Sequence, residues 1–262
     1  MWDLDWVAKN DDWTLRLFTD ASHVPWIEEL GPNGTLVLWE DLDRIVGTLE
    51  GVNAQETFTN RYSAASAHLS LVFHRFLKAE GGREKIELFV NYRKLDPVDP
   101  FYSSHAQTKR HPRVPEVFEY NGKKALIQGF TLPHYSKLSK SDWEKSEGPS
   151  GYLRSQGFYV YRERRLIVWG TWFNLVKASE LTKLARVRID ITNDQDADWK
   201  IDVKKASAQP PPQVRRRLRE MVERLTNVSR ERIVRSPRML TGDTRISLWE
   251  RALHDDQFRY LI

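Results

Sequence analysis

Apolar side chains recur with helical spacing in two segments of the chain. In residues 53–80 they lie three or four positions apart, which predicts a helix, and Gly81-Gly82 predicts its end. A second helix is predicted to begin after the break at Pro210-Pro211-Pro212. Its apolar stripe consists of Val214, Leu218, Met221, Val222 and Leu225, and arginines occupy the opposite face.

Strand patterns fill much of the remaining chain. Short apolar or alternating runs that border turns are typical of β-strands. The Asn121-Gly122 pair between two such runs predicts a hairpin. The predicted strands are Asp11 to Phe18, Gly34 to Trp39, Ile86 to Val90, Phe118 to Tyr120, Ala125 to Phe130, and a closing pair, Ile246 to Trp249 with Phe258 to Ile262.

The run from Gln156 to Ile167 is the most informative of these patterns. It passes from an aromatic segment through charged residues to a second apolar segment, which predicts a hairpin. Val187 to Ile191 then alternates as a single strand, and a polar loop containing Trp199 and Lys200 follows. This order suggests a moving part that presents a lysine to something bound elsewhere.

Four prolines separate the two halves of the chain. They stand at positions 97, 100, 112 and 115 and predict a loop over residues 95–115. Helices and strands are expected on both sides, so the predicted fold class is α+β. The predicted domains are residues 1–95 and 116–262, joined by a linker over residues 96–115.

Composition excludes several classes of site. The chain has no cysteine, which excludes disulfides, thiolate metal sites and cysteine nucleophiles and fits a cytoplasmic protein. No apolar run has the ~18–20 residues that span a membrane, so no membrane contact is predicted. The 7 histidines form no ligand set, and no metal site is predicted. A net charge of +5 permits contact with nucleic acid.

The hairpin from Gln156 to Ile167, the strand from Val187 to Ile191 and the loop from Asp198 to Asp202 resemble the transducer domain of GHKL ATPases. Gly34-Thr35 and the apolar run after it resemble a late motif of their ATP-binding domain. Among these gyrase-, MutL- and MORC-type ATPases, the chain is most similar to bacterial MORC-like proteins found near DNA restriction and phage-defence genes.

The resemblance implies a fold and a set of functional residues. Residues 1–95 would form the rear part of a GHKL-type α/β sandwich, and residues 116–262 a ribosomal-protein-like β-α-β transducer. Lys200 would reach the terminal phosphate of ATP as the catalytic, coupling lysine, and Gly34 and Thr35 would lie near the phosphates. The alternatives are a solvated surface lysine at position 200 and an ordinary strand-start residue at position 35.

The chain departs from the family pattern in one respect. The family's helix with a catalytic glutamate and a magnesium-binding asparagine is not found, and neither is its Asp-x-Gly-x-Gly loop. The chain is therefore expected to start inside the ATP-binding domain, which leaves open whether it is an enzyme. Its ATP site would be incomplete, and Mg²⁺ would bind only if a partner subunit or another chain supplied the missing half.

The basic C-terminal region offers a different function. Arg230, Arg232 and Arg235 have few acidic neighbours and are the predicted nucleic-acid contacts. The arginines between positions 215 and 224 are instead expected to form a solvated face that pairs with Glu220 and Glu223.

The favoured function is ATP-dependent conformational switching in DNA restriction, phage defence or chromosome handling, by a homodimer or with a partner subunit. The alternative is a non-catalytic module that binds DNA or protein through the basic C-terminal region.

Overall fold

The computed structural model describes residues 4–14, 20, 22, 24–39, 51–134, 137–140, 148–201, 208–235, 250–254 and 257–261. The chain divides into two units, Met1–Tyr62 and Ser63–Ile262. The helices are α1 (Leu4–Asn10), α2 (Gly51–Val72), α3 (His74–Leu77), α4 (Gly148–Arg154) and α5 (Pro212–Arg235). The strands are β1 (Phe89–Val90), β2 (Arg93–Lys94), β3 (Lys109–Tyr120), β4 (Lys123–Thr131), β5 (Gly157–Arg162), β6 (Arg165–Thr171), β7 (Ala185–Ile191), β8 (Glu250–His254) and β9 (Gln257–Leu261).

The α+β class is confirmed by this mixture of helices and sheets. None of the helices in the described ranges is both long and apolar enough to cross a membrane. The domain boundaries predicted at residues 95 and 115 stay a prediction, and both positions lie within the second unit.

The first unit contains α1, a 3₁₀ turn at Ile27–Glu29 and the start of α2. The strand predicted over Gly34 to Trp39 is wrong, because these residues form no ladder. In the predicted strand Asp11 to Phe18, residues 11–14 are likewise not strand, and residues 15–18 lie outside the described residues. An alternating pattern makes a strand only when a partner satisfies its backbone hydrogen bonds.

The helix predicted over residues 53–80 is confirmed but ends earlier. It is interrupted at Phe73, between α2 and α3, and stops at Leu77. Gly81 and Gly82 lie in the turn that follows, with φ values of 61° and 74°. Only Phe89 and Val90 of the strand predicted at Ile86 to Val90 are paired, and they form a short hairpin with β2.

The second unit is built around a five-stranded sheet with the order β3-β4-β7-β5-β6. The predicted hairpins β3–β4 and β5–β6 are confirmed, and both are antiparallel. The turn of β5–β6 is Glu163-Arg164, with φ values of 46° and 72°. β7 returns on the other side of β5 and runs parallel to it, with Val160 opposite Ile189.

The predicted loop over residues 95–115 is wrong in its second part, because β3 begins at Lys109. Its pairing with β4 is irregular between His111 and Glu116, which is where Pro112 and Pro115 lie. β3 is also an edge strand of the sheet. Edge strands and bulges accept proline because its missing N–H is not needed for a ladder bond there.

Helix α5 covers one face of this sheet. Its predicted stripe is confirmed, since Val214, Leu218, Met221, Val222 and Leu225 are all buried. They pack with alternate residues of β5 and β7, including Phe158, Val160, Val187 and Ile189. The opposite face carries the aromatic cluster of Phe101, Phe130, Tyr159, Tyr161 and Leu166.

The closing hairpin predicted near the C-terminus is formed by β8 and β9, with Glu250 opposite Leu261. Ile246 to Trp249, the predicted first strand, lies outside the described residues.

Candidate functional site

Lys200 lies on a tight turn that the chain reaches soon after leaving β7. Between them runs a 3₁₀ turn at Asn193–Gln195. Lys200 has a φ of 49°, in the left-handed region, and its backbone N–H donates to Ala197 O at 3.2 Å. Its side chain is exposed. A non-glycine residue in this region costs free energy and is maintained only where its neighbours hold it.

The preceding residue, Trp199, anchors the turn. Its ring is fully buried, and Nε1 donates to Tyr120 Oη at 2.7 Å. Tyr120 Oη donates in turn to Gln195 Oε1 at 2.7 Å, and Gln195 Nε2 donates to Lys124 O at 2.9 Å. Burial raises the pKa of Tyr120 to about 12, so the phenol stays protonated and keeps donating. The buried chain of hydrogen bonds holds the turn to the β3–β4 hairpin.

Two cations next to the turn are already paired. Lys123 Nζ lies 2.7 Å from Asp198 Oδ2. Arg162 binds both oxygens of Asp196, at 2.6 and 2.8 Å. Among the described residues, by contrast, the Lys200 ammonium has neither an ion pair nor a hydrogen bond. The turn therefore presents one lysine that can bind an external anion.

Gly34 and Thr35 belong to the first unit. Thr35 is exposed, and Gly34 is not among the glycines with a left-handed backbone. A Cβ at Gly34 would come within 3.2 Å of Leu30 Cδ1. Their predicted place beside the phosphates contacted by Lys200 stays a prediction.

Arg230, Arg232 and Arg235 lie in the last turns of α5. At roughly 100° per residue, positions 230 and 232 are about 200° apart around the helix axis. The three positions therefore do not form one stripe. Their predicted contact with nucleic acid stays a prediction.

Sequence reasoning missed an ion-pair network that joins α3 to the sheet. Arg75 Nε and Nη2 bind the two oxygens of Glu80 at 2.7 and 3.1 Å, while Nη1 binds Asp190 of β7. Arg164, in the turn of the β5–β6 hairpin, donates to the Arg75 carbonyl and lies 4.7 Å over the Phe76 ring. No local spacing could reveal this network, because Arg75 and Asp190 are 115 residues apart.

His74 adds a packed contact at the same junction. Its Nδ1 donates to Leu71 O at 2.8 Å, and its ring meets Tyr161 of β5 edge to face at 5.6 Å. Burial lowers the pKa of His74, and burial also raises the pKa of Tyr161 well above its ordinary value. Both side chains are therefore neutral near pH 7. Together with the Arg75 network they attach α3 to β5, β7 and the hairpin turn.

Within the described ranges, no group of three histidine, aspartate or glutamate side chains could hold a metal ion. A scan of protein-family models and a search of curated proteins each give no match to this chain. The resemblance to GHKL ATPases thus depends on the quoted sequence motifs and stays a prediction.

Proposed function

We propose that residues 116–262 form a GHKL-type transducer in which Lys200 contacts the terminal phosphate of ATP and couples its presence to a conformational change. The observation that carries the proposal is the exposed Lys200, which has no ion pair within the described residues, next to the buried anchor Trp199. A compact ammonium on a flexible stem can bind a phosphate oxygen and withdraw when the phosphate leaves.

The sheet supplies a route for the coupling. β7 leads at its C-terminal end to the Lys200 turn, and Asp190, near the same end, binds Arg75 of α3. A shift of the turn would therefore change the register or angle of a strand that also holds α3. Such a two-state element, biased by a nucleotide, is the usual physical basis of a ligand switch.

The proposal assigns coupling to this chain and leaves ATP hydrolysis to residues supplied elsewhere. A homodimer partner or a separate subunit would complete the nucleotide and Mg²⁺ sites. By resemblance, the switching would serve DNA restriction, phage defence or chromosome handling.

Nucleotide titration of the chain tests the role of Lys200. We expect Lys200→Ala to raise the Kd for ATP about tenfold or more, because a charged hydrogen bond contributes roughly 1.5–3 kcal/mol. Lys177→Ala is the matched control, since Lys177 is also an exposed lysine on a loop of the second unit. Unchanged calorimetric affinity in Lys200→Ala would remove the proposed role.

A DNA-binding module is the second candidate. It is favoured by Arg216 and Arg219, which are exposed on α5 and have no ion pair among the described residues. Binding to duplex DNA should then weaken steeply with salt and weaken further when Arg230, Arg232 and Arg235 are replaced. The absence of a mobility shift at low salt would dismiss this candidate.

A further inference from the structure

A cavity of about 530 Å³ lies within the second unit, between α3, the loop before β3 and the face of the sheet opposite α5. Four cationic side chains and two carboxylates contribute to its lining. These are Arg75, Lys78, Arg110, Arg188, Glu80 and Asp99. Lys200 is not part of the lining, so the cavity is separate from the Lys200 turn.

Both carboxylates are already satisfied by their own donors. Glu80 receives two hydrogen bonds from Arg75. Asp99 accepts from the backbone N–H groups of Phe101 and Ser103 at 2.9 and 2.8 Å and from the Ser103 hydroxyl. Although burial raises the pKa of Asp99, these hydrogen bonds hold it below its ordinary value. The hydrogen-bond acceptors of the two acids are therefore largely occupied, although the charge of Arg188 still acts on Glu80 at longer range.

Three of the four cations, by contrast, form only long or misaligned hydrogen bonds. Lys78 Nζ lies 3.4 Å from Ser104 Oγ, and Arg110 Nη2 lies 3.5 Å from Ser103 O, both at the outer limit of a hydrogen bond. Arg188 Nε is 3.0 Å from Asp190 Oδ2 but forms no aligned hydrogen bond. No hydrogen bond from the Arg188 terminal nitrogens exists in the described part of the chain.

Arg188 is also the most sheltered of these three side chains. It rises from β7 with a side chain that is 20% exposed, and its guanidinium lies 5.9 Å from the centre of the Phe130 ring. Asp190, its nearest carboxylate, is shared with Arg75. A partly buried cation with a shared counter-ion gains more from an added anion than a solvated cation does.

We propose that this cavity binds a small phosphate-bearing molecule, with Arg188 at the floor and Lys78 and Arg110 at the rim. A guanidinium group can donate two parallel hydrogen bonds to two oxygens of one phosphate, and an ammonium adds a compact positive charge. The volume is in the range of sites for small ligands. His74 also lines the cavity but is uncharged near pH 7, because burial lowers its pKa although its hydrogen bond to the Leu71 carbonyl opposes that shift.

The ligand would bridge Lys78, which directly follows α3, to Arg110 of β3 and Arg188 of β7. The Arg75 network also joins α3 to β7. This goes beyond the proposed ATP contact, because it adds a second anion site that stabilises one position of α3 on the sheet. A phosphate-bearing effector would in this way bias the coupling element without touching Lys200.

Calorimetric titration of the whole chain with pyrophosphate at low ionic strength tests the site. Lys78→Gln and Arg110→Gln are the informative variants, since both side chains are exposed and their loss leaves the core intact. Each is expected to raise the pyrophosphate Kd about tenfold, as one charged hydrogen bond is lost. Lys177→Gln and Arg219→Gln, also exposed, are matched controls and should leave the Kd unchanged.

Several results would overturn the proposal. They are the absence of saturable pyrophosphate binding, an unchanged Kd in both cavity variants, and an equal loss in the controls, which would indicate unspecific attraction to a basic surface. Tighter binding of citrate than of pyrophosphate would exclude phosphate as the ligand class. Lys200→Ala should bind pyrophosphate normally, and a loss there would instead assign the anion to the Lys200 turn. Failure of the cavity and failure of the ATP proposal are thus distinguishable.

Discussion

The two faces of the five-stranded sheet are stabilised by different kinds of interaction, although the same strands form both. On the α5 face, Phe158 and Val160 of β5 lie beside Val187 and Ile189 of β7, and all four are fully buried. On the other face, the alternate residues are Tyr159 and Tyr161 of β5 and Arg186, Arg188 and Asp190 of β7. One face is an apolar core, and the other is a layer of aromatic rings and arginines.

We expect the α5 face to supply most of the stability of the sheet and the opposite face to permit rearrangement. Dispersion and the hydrophobic effect on the α5 face need close packing, and they do not depend on charge state. On the other face, arginines lie over rings and share carboxylates, so several of them have more than one partner within reach. Arg186, for example, lies 5.6 Å from each of the Tyr152 and Tyr159 rings and donates to Ser155 Oγ at 2.6 Å. The adjustable face is also the one that holds α3 and the cavity.

The largest effect is expected on the apolar face. Phe158→Ala should lower the free energy of unfolding by about 3–5 kcal/mol, because a fully buried ring is replaced by a cavity. Phe158 also meets Trp172 edge to face at 5.3 Å and stacks on Phe173 at 5.5 Å. Urea unfolding monitored by circular dichroism measures the loss. A cost below about 1 kcal/mol would show that this face is not the stabilising core.

The fold on this apolar side was largely predictable from local patterns. The α5 stripe follows from helical spacing, and the β3–β4 hairpin follows from Asn121-Gly122, whose left-handed φ values of 49° and 72° fit those residues. The parallel pairing of β5 with β7 was not predictable, because alternation of apolar and polar residues indicates a strand but not the strand with which it pairs. The start of β3 was missed because Pro112 and Pro115 mark a loop unless the strand is known to be an irregular edge.

The candidate sites were predictable only in part. The loop of Lys200 was identified by resemblance to a family, whereas its support by Trp199, Tyr120 and Gln195 depends on contacts over more than 70 residues. The cavity left no signal in the sequence. Lys78, Arg110 and Arg188 stand far apart in the chain and meet only because α3 packs on the sheet.

A smaller loss is expected from a single change on the polar face. Asp190→Asn removes the carboxylate shared by Arg75 and Arg188, whose side chains are 14% and 20% exposed. The unfolding free energy should fall by about 1–3 kcal/mol, since two partly buried cations lose their counter-ion. The double variant with Arg75→Gln should cost less than the sum of the single changes. Additive costs would mean that the pair does not interact energetically.

The smallest effect is a pH dependence that belongs to the polar face alone. Burial, the largest cause, lowers the pKa of His74 below 6.5; Asp99 and Glu80 oppose this shift, while Arg75 adds to it. The unfolded chain therefore binds a proton near pH 6.5 before the folded protein does, so stability is present above that pH and declines as the pH falls. The slope contributed by His74 cannot exceed about 1.4 kcal/mol per pH unit, the limit for one proton.

Urea unfolding between pH 7.5 and 5 should show a flatter decline in His74→Gln than in the unmodified chain, whatever the variant costs at pH 7.5. Phe158→Ala, on the apolar face, should keep the full slope. Parallel profiles for His74→Gln and the unmodified chain would show that acid acts elsewhere, His134 being the next group to examine because burial lowers its pKa as well.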